Sequence, residues 1–213
     1  AVAGGAADAD LLRLGDELVD ESNSRELRRA AALGLMRIGR RTEREDVRRL
    51  TAHYLVEAYA GTRRAEPELA SALALALASV PLERIELSDP GGQPEPPGTS
   101  RMAILRFLLG ELGDARRLDP LLLEHLITGL ALAFEGLPEP ARTLARPAIA
   151  EPVLELFNAR ARLSRPVVDA LVRLLGLLGR PSDDALDGRL RKALWAATDE
   201  PELGTRTTAY LAL

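Results

Sequence analysis

The sequence contains two histidines, a residue type that can bind a metal ion or act as a general base. His53 lies four residues after Arg49 and four before Glu57, so a helix places the three side chains on one face. A histidine and a glutamate supply two ligands of a metal site, but zinc takes three or four, and no matching partner motif exists. We therefore interpret this face as a solvated polar surface.

The second histidine, His125, follows Glu124 in a leucine-rich segment. No serine or carboxylate forms a recognisable catalytic motif with it. The sequence therefore favours a hydrogen-bonded or hairpin-facing histidine over a general base.

Other candidates for chemistry have simpler explanations. Carboxylate clusters at 183–187 and 199–202 fall at predicted helix starts, where the helix macrodipole explains them. Gly91 and Gly92 are not followed by the Gly-Lys-Ser of a phosphate-binding loop, and cysteine is absent. We expect no catalytic residue, no metal and no cofactor, and we predict that the chain is not an enzyme.

Three arginine pairs are candidates for binding a partner. All lie at or just past predicted helix ends: Arg40 and Arg41, Arg63 and Arg64, Arg116 and Arg117. If the turns between successive helices line one edge, these guanidinium groups form a basic ridge that holds acidic peptide segments or phosphates. The alternative is that each pair compensates the partial negative charge of a helix C-terminus.

Trp195 is the remaining candidate for a binding residue. It stands roughly opposite the apolar stripe of its predicted helix, formed by Leu186, Leu190, Ala193, Leu194 and Ala197. A tryptophan in this position either packs on a following structural unit or is exposed as a binding anchor.

Composition favours a folded helical protein. Hydrophobic residues make up 46% of the chain, but aromatic residues only 3%, so the core consists of Leu, Ala, Val and Ile. No stretch alternates at period two, which argues against strands, and no apolar run approaches the roughly 18 residues of a membrane span. The net charge of -4 disfavours a non-specific nucleic-acid binder. The absence of cysteine leaves the compartment open.

The clearest predicted helix runs from a cap at Asn23 or Ser24 to Gly39, which we expect in a left-handed conformation just past the helix. Its apolar stripe is Leu27, Ala31, Gly34, Leu35 and Ile38. The same pattern predicts further helices that start near Asp8, Thr42, Pro67, Ser100, Asp119, Glu139, Ser164, Ser182 and Glu200. The chain is thus expected to be all-α, with about ten helices.

Short links pair these helices into five hairpins, and the hairpins resemble one another. Residues 67–77 match the segment 24–35, with Leu69 over Leu27 and Leu77 over Leu35 at an offset of 42, within the range typical of two-helix solenoid units. Residues 20–39, residues 199–213 and the helices ending LLGELGD and LLGLLG resemble the HEAT-repeat family. This resemblance implies a right-handed α-solenoid, an α-α superhelix of about five HEAT-like helical hairpins.

We expect residues 1–213 to form a single HEAT-like repeat domain. The chain starts without methionine and stops at Leu213 inside an apolar helical pattern, so we interpret it as a segment of a longer protein. Residues 88–99, which are rich in proline and glycine, are expected to form a loop between the second and third hairpins. Such a loop is either functional or a tolerated insertion.

The family resemblance implies a binding role and transfers no activity. We expect a protein-protein interaction scaffold or adaptor domain of a larger bacterial multidomain protein, whose partner is a protein. Lys192 is the only lysine among the 28 basic residues, a bias that indicates a GC-rich coding sequence. Two alternatives stay open: a HEAT-like enzyme of the pigment-lyase or DNA-glycosylase type, and a purely structural spacer.

Overall fold

The computed structural model describes residues 2–83, 96–179 and 184–213, with side chains from residue 8 onward except that of Arg116. Within these ranges the chain forms ten α-helices and no strand, so the all-α prediction is confirmed there. The helices are α1 (Val2–Val19), α2 (Arg25–Arg41), α3 (Glu45–Thr62), α4 (Pro67–Ala78), α5 (Arg101–Leu112), α6 (Pro120–Glu135), α7 (Glu139–Asn158), α8 (Arg165–Leu178), α9 (Ala185–Ala197) and α10 (Leu203–Ala212). Two one-turn 3-10 helices, Ala115–Arg117 and Arg160–Arg162, follow α5 and α7.

Side-chain caps begin several helices where the sequence predicts them. Ser24 and Asp119 each accept a hydrogen bond from a backbone amide in the first turn of α2 and α6. The start of α3 differs from the prediction, because Thr42 closes α2 by donating its backbone N–H to the Ile38 carbonyl at 3.0 Å. As a result α3 begins at Glu45.

The chain divides into two compact units, Ala1–Leu108 and Leu109–Leu213, with the boundary inside α5. In unit 1, α1 packs on α2 and α3, and α2 packs on α3 and α4. In unit 2, α8 packs on α6, α7, α9 and α10, and α7 also packs on α9. In both units, neighbouring and next-neighbour helices therefore pack together.

Ion pairs define the two ends of unit 1. At the first end, Arg25 contacts Glu66 at 3.3 Å, which brings the start of α2 to the start of α4. At the opposite end, Arg44 contacts Asp8 at 2.8 Å, which brings the start of α3 to the N-terminal half of α1. We refer to these as the Glu66 end and the Arg44 end of unit 1.

Glycine lets helices approach closely inside unit 1. A Cβ atom on Gly39 would lie 3.0 Å from Cγ2 of Thr51 on α3, and one on Gly34 would lie 2.9 Å from Cδ1 of Leu14 on α1. Gly39 is buried within α2, which continues to Arg41, so the prediction of a left-handed residue past the helix end is wrong. Its small size serves the contact with α3 instead.

Gly98 is the glycine of the described residues that has a left-handed backbone, with φ 87°. It is buried, and a Cβ atom there would lie 3.1 Å from Cβ of Ala52 on α3. The described end of the predicted 88–99 loop is therefore packed on α3. Within the loop, the Thr99 hydroxyl donates to the Pro96 carbonyl at 2.8 Å. Residues 88–95 lie outside the described ranges.

A buried arginine joins helix ends in each unit. In unit 1, Arg28 donates from Nε to the Leu18 carbonyl at 3.0 Å and from its guanidinium to Glu66 at 2.7 Å. In unit 2, Arg146 donates to the Leu178 carbonyl at 2.6 Å and pairs with Asp187. Each guanidinium thus binds a carbonyl in the last turn of one helix and a carboxylate at the start of another.

Ion pairs between helices recur at similar sequence separations. Arg25 and Glu66 are 41 residues apart, Arg160 and Glu200 are 40 apart, and Arg189 and Glu151 are 38 apart. The separation equals about one predicted helical hairpin. The pairs therefore connect one hairpin to the next within each unit.

Candidate interaction surface

Arg40 and Arg41 lie in the last turn of α2, and both side chains are exposed. They belong to a longer exposed face of the same helix. Arg29, Leu33, Arg37 and Arg40 follow one another at i, i+4, i+8 and i+11, opposite the buried Ala31 and Leu35. We call these four residues the α2 stripe.

The α2 stripe was not predicted from the sequence, although its spacing is visible there. The predicted binding arginines are adjacent pairs at helix ends, whereas Arg29 and Arg37 lie inside the helix. Leu33 is 48% exposed in the middle of the stripe. The exposed apolar side chain of Leu33 is therefore flanked by an arginine on each side along the helix.

Arg63 and Arg64 follow the C-terminus of α3 and lie at the Glu66 end of unit 1. Arg63 caps the C-terminus of α3, is half-buried and interacts within the fold, while Arg64 is exposed. Since α3 has 18 residues, its two ends are about 27 Å apart. Arg40 and Arg41 precede the start of α3, so this unit does not bring the two pairs into one patch.

Arg116 and Arg117 belong to unit 2 and lie in the 3-10 helix after α5. The side chain of Arg117 is exposed, and that of Arg116 lies outside the described part. A ridge that includes this pair stays a prediction.

Trp195 is 55% exposed on α9, as one of its two predicted alternatives requires. Large apolar side chains are also exposed on α10, where Leu203 is 67%, Tyr210 60% and Leu211 85% exposed. The opposite side of α10 faces α8, because Thr205 donates to Asp169. These α10 residues were missed, since exposure depends on which helices pack against α10.

Arg44 is an exposed arginine that, unlike those of the α2 stripe, forms ion pairs within the protein. Arg44 donates to Asp46 at 2.7 Å and to Asp8 at 2.8 Å. The hydrogen bond from Arg44 lowers the pKa of Asp46, and the two carboxylates raise the pKa of Arg44. By contrast, no such partner holds Arg40 or Arg41 among the described residues.

The histidines take part in ordinary surface contacts. His53 Nε2 lies 3.8 Å from Glu57 on an exposed face, as predicted, while Arg49 pairs with Glu45. Nδ1 of His125 hydrogen bonds to the Leu121 carbonyl at 2.7 Å, which confirms the prediction of a hydrogen-bonded histidine.

The carboxylate clusters lie at helix starts as predicted. Asp184 caps α9 by accepting from the Asp187 amide at 2.7 Å, and Glu200 pairs with Arg160. Residue 183 lies outside the described ranges. In the part of the chain that the structure describes, no group of three or more His, Cys, Asp or Glu residues is placed to hold a metal ion.

No protein-family model, curated protein or solved structure shows a significant match to this chain. None of the helices in the described ranges combines the length and apolar composition that crossing a bilayer requires. The class that the structure itself defines is an all-α protein in which neighbouring and next-neighbour helices pack together. Membership of the HEAT-repeat family is therefore a proposal.

Proposed function

We propose that this protein is a protein-protein interaction scaffold or adaptor domain of a larger bacterial multidomain protein. The observation that carries this proposal is the α2 stripe, where exposed arginines that have no partner among the described residues flank an exposed leucine. Mixed apolar and arginine-rich surfaces are typical of protein interfaces. Trp195 on α9 adds an exposed aromatic side chain of the kind that anchors a partner.

The scaffold is proposed to be a right-handed α-solenoid of about five HEAT-like helical hairpins. Two features within each unit support this arrangement. Helices pack on their next neighbours, as in α2 with α4 and α8 with α10. Ion pairs such as Arg25 with Glu66 join residues 41 positions apart, a period that suits two-helix repeats.

A binding experiment with matched charge variants tests this function. The full chain is immobilised and exposed to lysate of the native organism, and the retained proteins are identified by mass spectrometry. The test variants are Arg40→Glu with Arg41→Glu, and Trp195→Ser. The control is Arg162→Glu with Arg173→Glu, which makes the same charge change at two exposed arginines that have no partner in the described part.

We expect a defined protein to be retained by the wild type and the control but lost from at least one test variant. Purified partner should then bind the purified chain directly. The proposal is wrong if no protein is retained specifically by the wild type, or if the retained protein fails to bind once both components are pure.

A further inference from the structure

The exposed face of α2 carries arginines that have no partner in the part of the chain that the structure describes. Among the described residues, neither a hydrogen bond nor an ion pair occupies Arg29, Arg37 or Arg40. The neighbouring Arg25 and Arg28 differ, because both are paired with Glu66 at the start of α4. Arg25 and Arg28 thus connect α2 to α4, and the arginines of the stripe do not take part in these ion pairs.

The stripe has a defined length and spacing. Arg29, Leu33 and Arg37 are separated by one helical turn each, so they are about 6 Å apart along the axis. The whole stripe to Arg40 spans about 16 Å. A second helix can match this spacing with Glu, Leu and Glu at i, i+4 and i+8 on one face.

We propose that the α2 stripe binds an acidic amphipathic segment of a partner protein. Leu33 packs on an apolar residue of that segment, while Arg29, Arg37 and Arg40 bind its carboxylates. Arginine suits this role because its guanidinium makes bidentate hydrogen bonds with carboxylates. The inference rests on the proposed function and specifies which surface and which partner chemistry carry it.

One observation favours a protein segment over a nucleic acid. Leu33 occupies the middle of the stripe and is 48% exposed, so the surface offers an apolar contact that a phosphate backbone does not use. The exposed Glu26 and the net charge of -4 oppose an acidic peptide and a nucleic acid alike, so they do not decide between the two.

Fluorescence anisotropy with a defined probe tests the inference on the full chain. The probe is a labelled helical peptide that carries Glu, Leu and Glu at i, i+4 and i+8. A shuffled peptide of the same composition, with these residues on different faces, is the first control. A labelled single-stranded RNA of similar charge is the second control.

The test variant is Arg29→Glu with Arg37→Glu, both inside α2 and away from its C-terminal dipole. The matched control is Arg162→Glu with Arg173→Glu. We expect the test variant to bind the probe about tenfold more weakly and the control to stay within about twofold of wild type. Raising the salt concentration should weaken wild-type binding as well.

A second variant keeps the test valid if the charge reversal disturbs folding. Leu33→Ala preserves helix propensity and removes only an exposed side chain. We expect it to bind the probe about threefold more weakly, since part of the contact is apolar. Thermal unfolding of each variant shows whether the fold is retained.

The inference is overturned by any of four results, the first three of which concern the peptide. These are no binding of the probe to the wild type, equal loss in the test and control variants, and equal binding of the designed and shuffled peptides. Preference for the RNA overturns it in favour of nucleic-acid binding.

The inference and the proposed function can fail separately. If the captured native partner binds Arg29→Glu with Arg37→Glu as well as wild type, then docking on the stripe is wrong but the scaffold function stands. If the wild type binds no native protein at all, the proposed function fails whatever the peptide does.

Discussion

At the scale of residues, Arg28 and Arg29 are sequence neighbours with opposite environments. Arg28 is 3% exposed and holds the Leu18 carbonyl and Glu66, whereas Arg29 is exposed and unpaired within the described residues. Helical spacing places Arg28 on the side of Ala31 and Leu35 and Arg29 on the opposite side, but it gives no sign of the carboxylate at the start of α4 that Arg28 meets. The buried ion pair was therefore missed.

Replacing Arg28 by alanine should destabilise unit 1. The change leaves Glu66 without its buried cation and the Leu18 carbonyl without this donor, so we expect a loss of about 2 to 3 kcal/mol in the free energy of unfolding. Arg29→Ala is the matched control and should change it by less than about 0.5 kcal/mol. Chemical denaturation of both variants measures the difference, and equal stabilities would show that the buried pair contributes nothing.

Gly98 provides a second prediction at a single position. Its φ of 87° and the short distance to Ala52 mean that Gly98→Ala should cost about 1 to 3 kcal/mol. Gly188→Ala, at an exposed site in α9 with open space for a Cβ atom, should be neutral or stabilising by up to about 1 kcal/mol. The melting temperature should therefore fall for Gly98→Ala and stay equal or rise for Gly188→Ala. A Gly98→Ala variant as stable as wild type would contradict this conformation.

At the scale of elements, helix number and many helix starts could be predicted from the sequence. Caps such as Ser24 and Asp119 act within one turn, so the local sequence is enough to identify them. The role of Gly39 could not be predicted, because it depends on Thr51 of a different helix. The exposed side of α10 was missed for the same reason, since only packing on α8 shows which side remains uncovered.

Enlarging Gly39 should disturb the packing of α2 on α3. A leucine here meets Thr51, which is buried and β-branched and so cannot turn aside, and we expect a loss of about 1 to 3 kcal/mol. Gly110→Leu is a suitable comparison, because Gly110 is exposed on α5 and has no atom within 4 Å of its Cβ position. Urea unfolding measures both changes. If Gly39→Leu were tolerated as well as Gly110→Leu, close approach would not explain the glycine.

At the scale of the whole molecule, the sequence predicts a single repeat domain, and the structure adds two compact units with a boundary inside α5. Local patterns do not reveal such a division, since helices of the same type occur on both sides. The three-dimensional arrangement of the arginine pairs could not be predicted from local patterns either. Their position at helix ends could be read from sequence, but the separation of Arg40 and Arg64 by the length of α3 could not.

The first unit should fold when expressed alone through the end of α5. Its core contacts lie within Ala1–Leu108, and in a repeat array each hairpin contacts mainly its neighbours. We expect residues 1–112 to give a helical far-ultraviolet circular dichroism spectrum and a cooperative thermal transition. A fragment that lacks a cooperative transition would show that unit 1 depends on the second half of the chain.

The central claim is that this protein works by binding another protein through exposed side chains. Photo-crosslinking in the native organism tests it most directly, with a photo-reactive amino acid in place of Leu33, Trp195 or, as an exposed polar control, His53. The account predicts that a discrete protein is crosslinked at position 33, at position 195 or at both, and that it is absent at position 53. No crosslinked protein at 33 and 195, or the same set of proteins at all three positions, would contradict it.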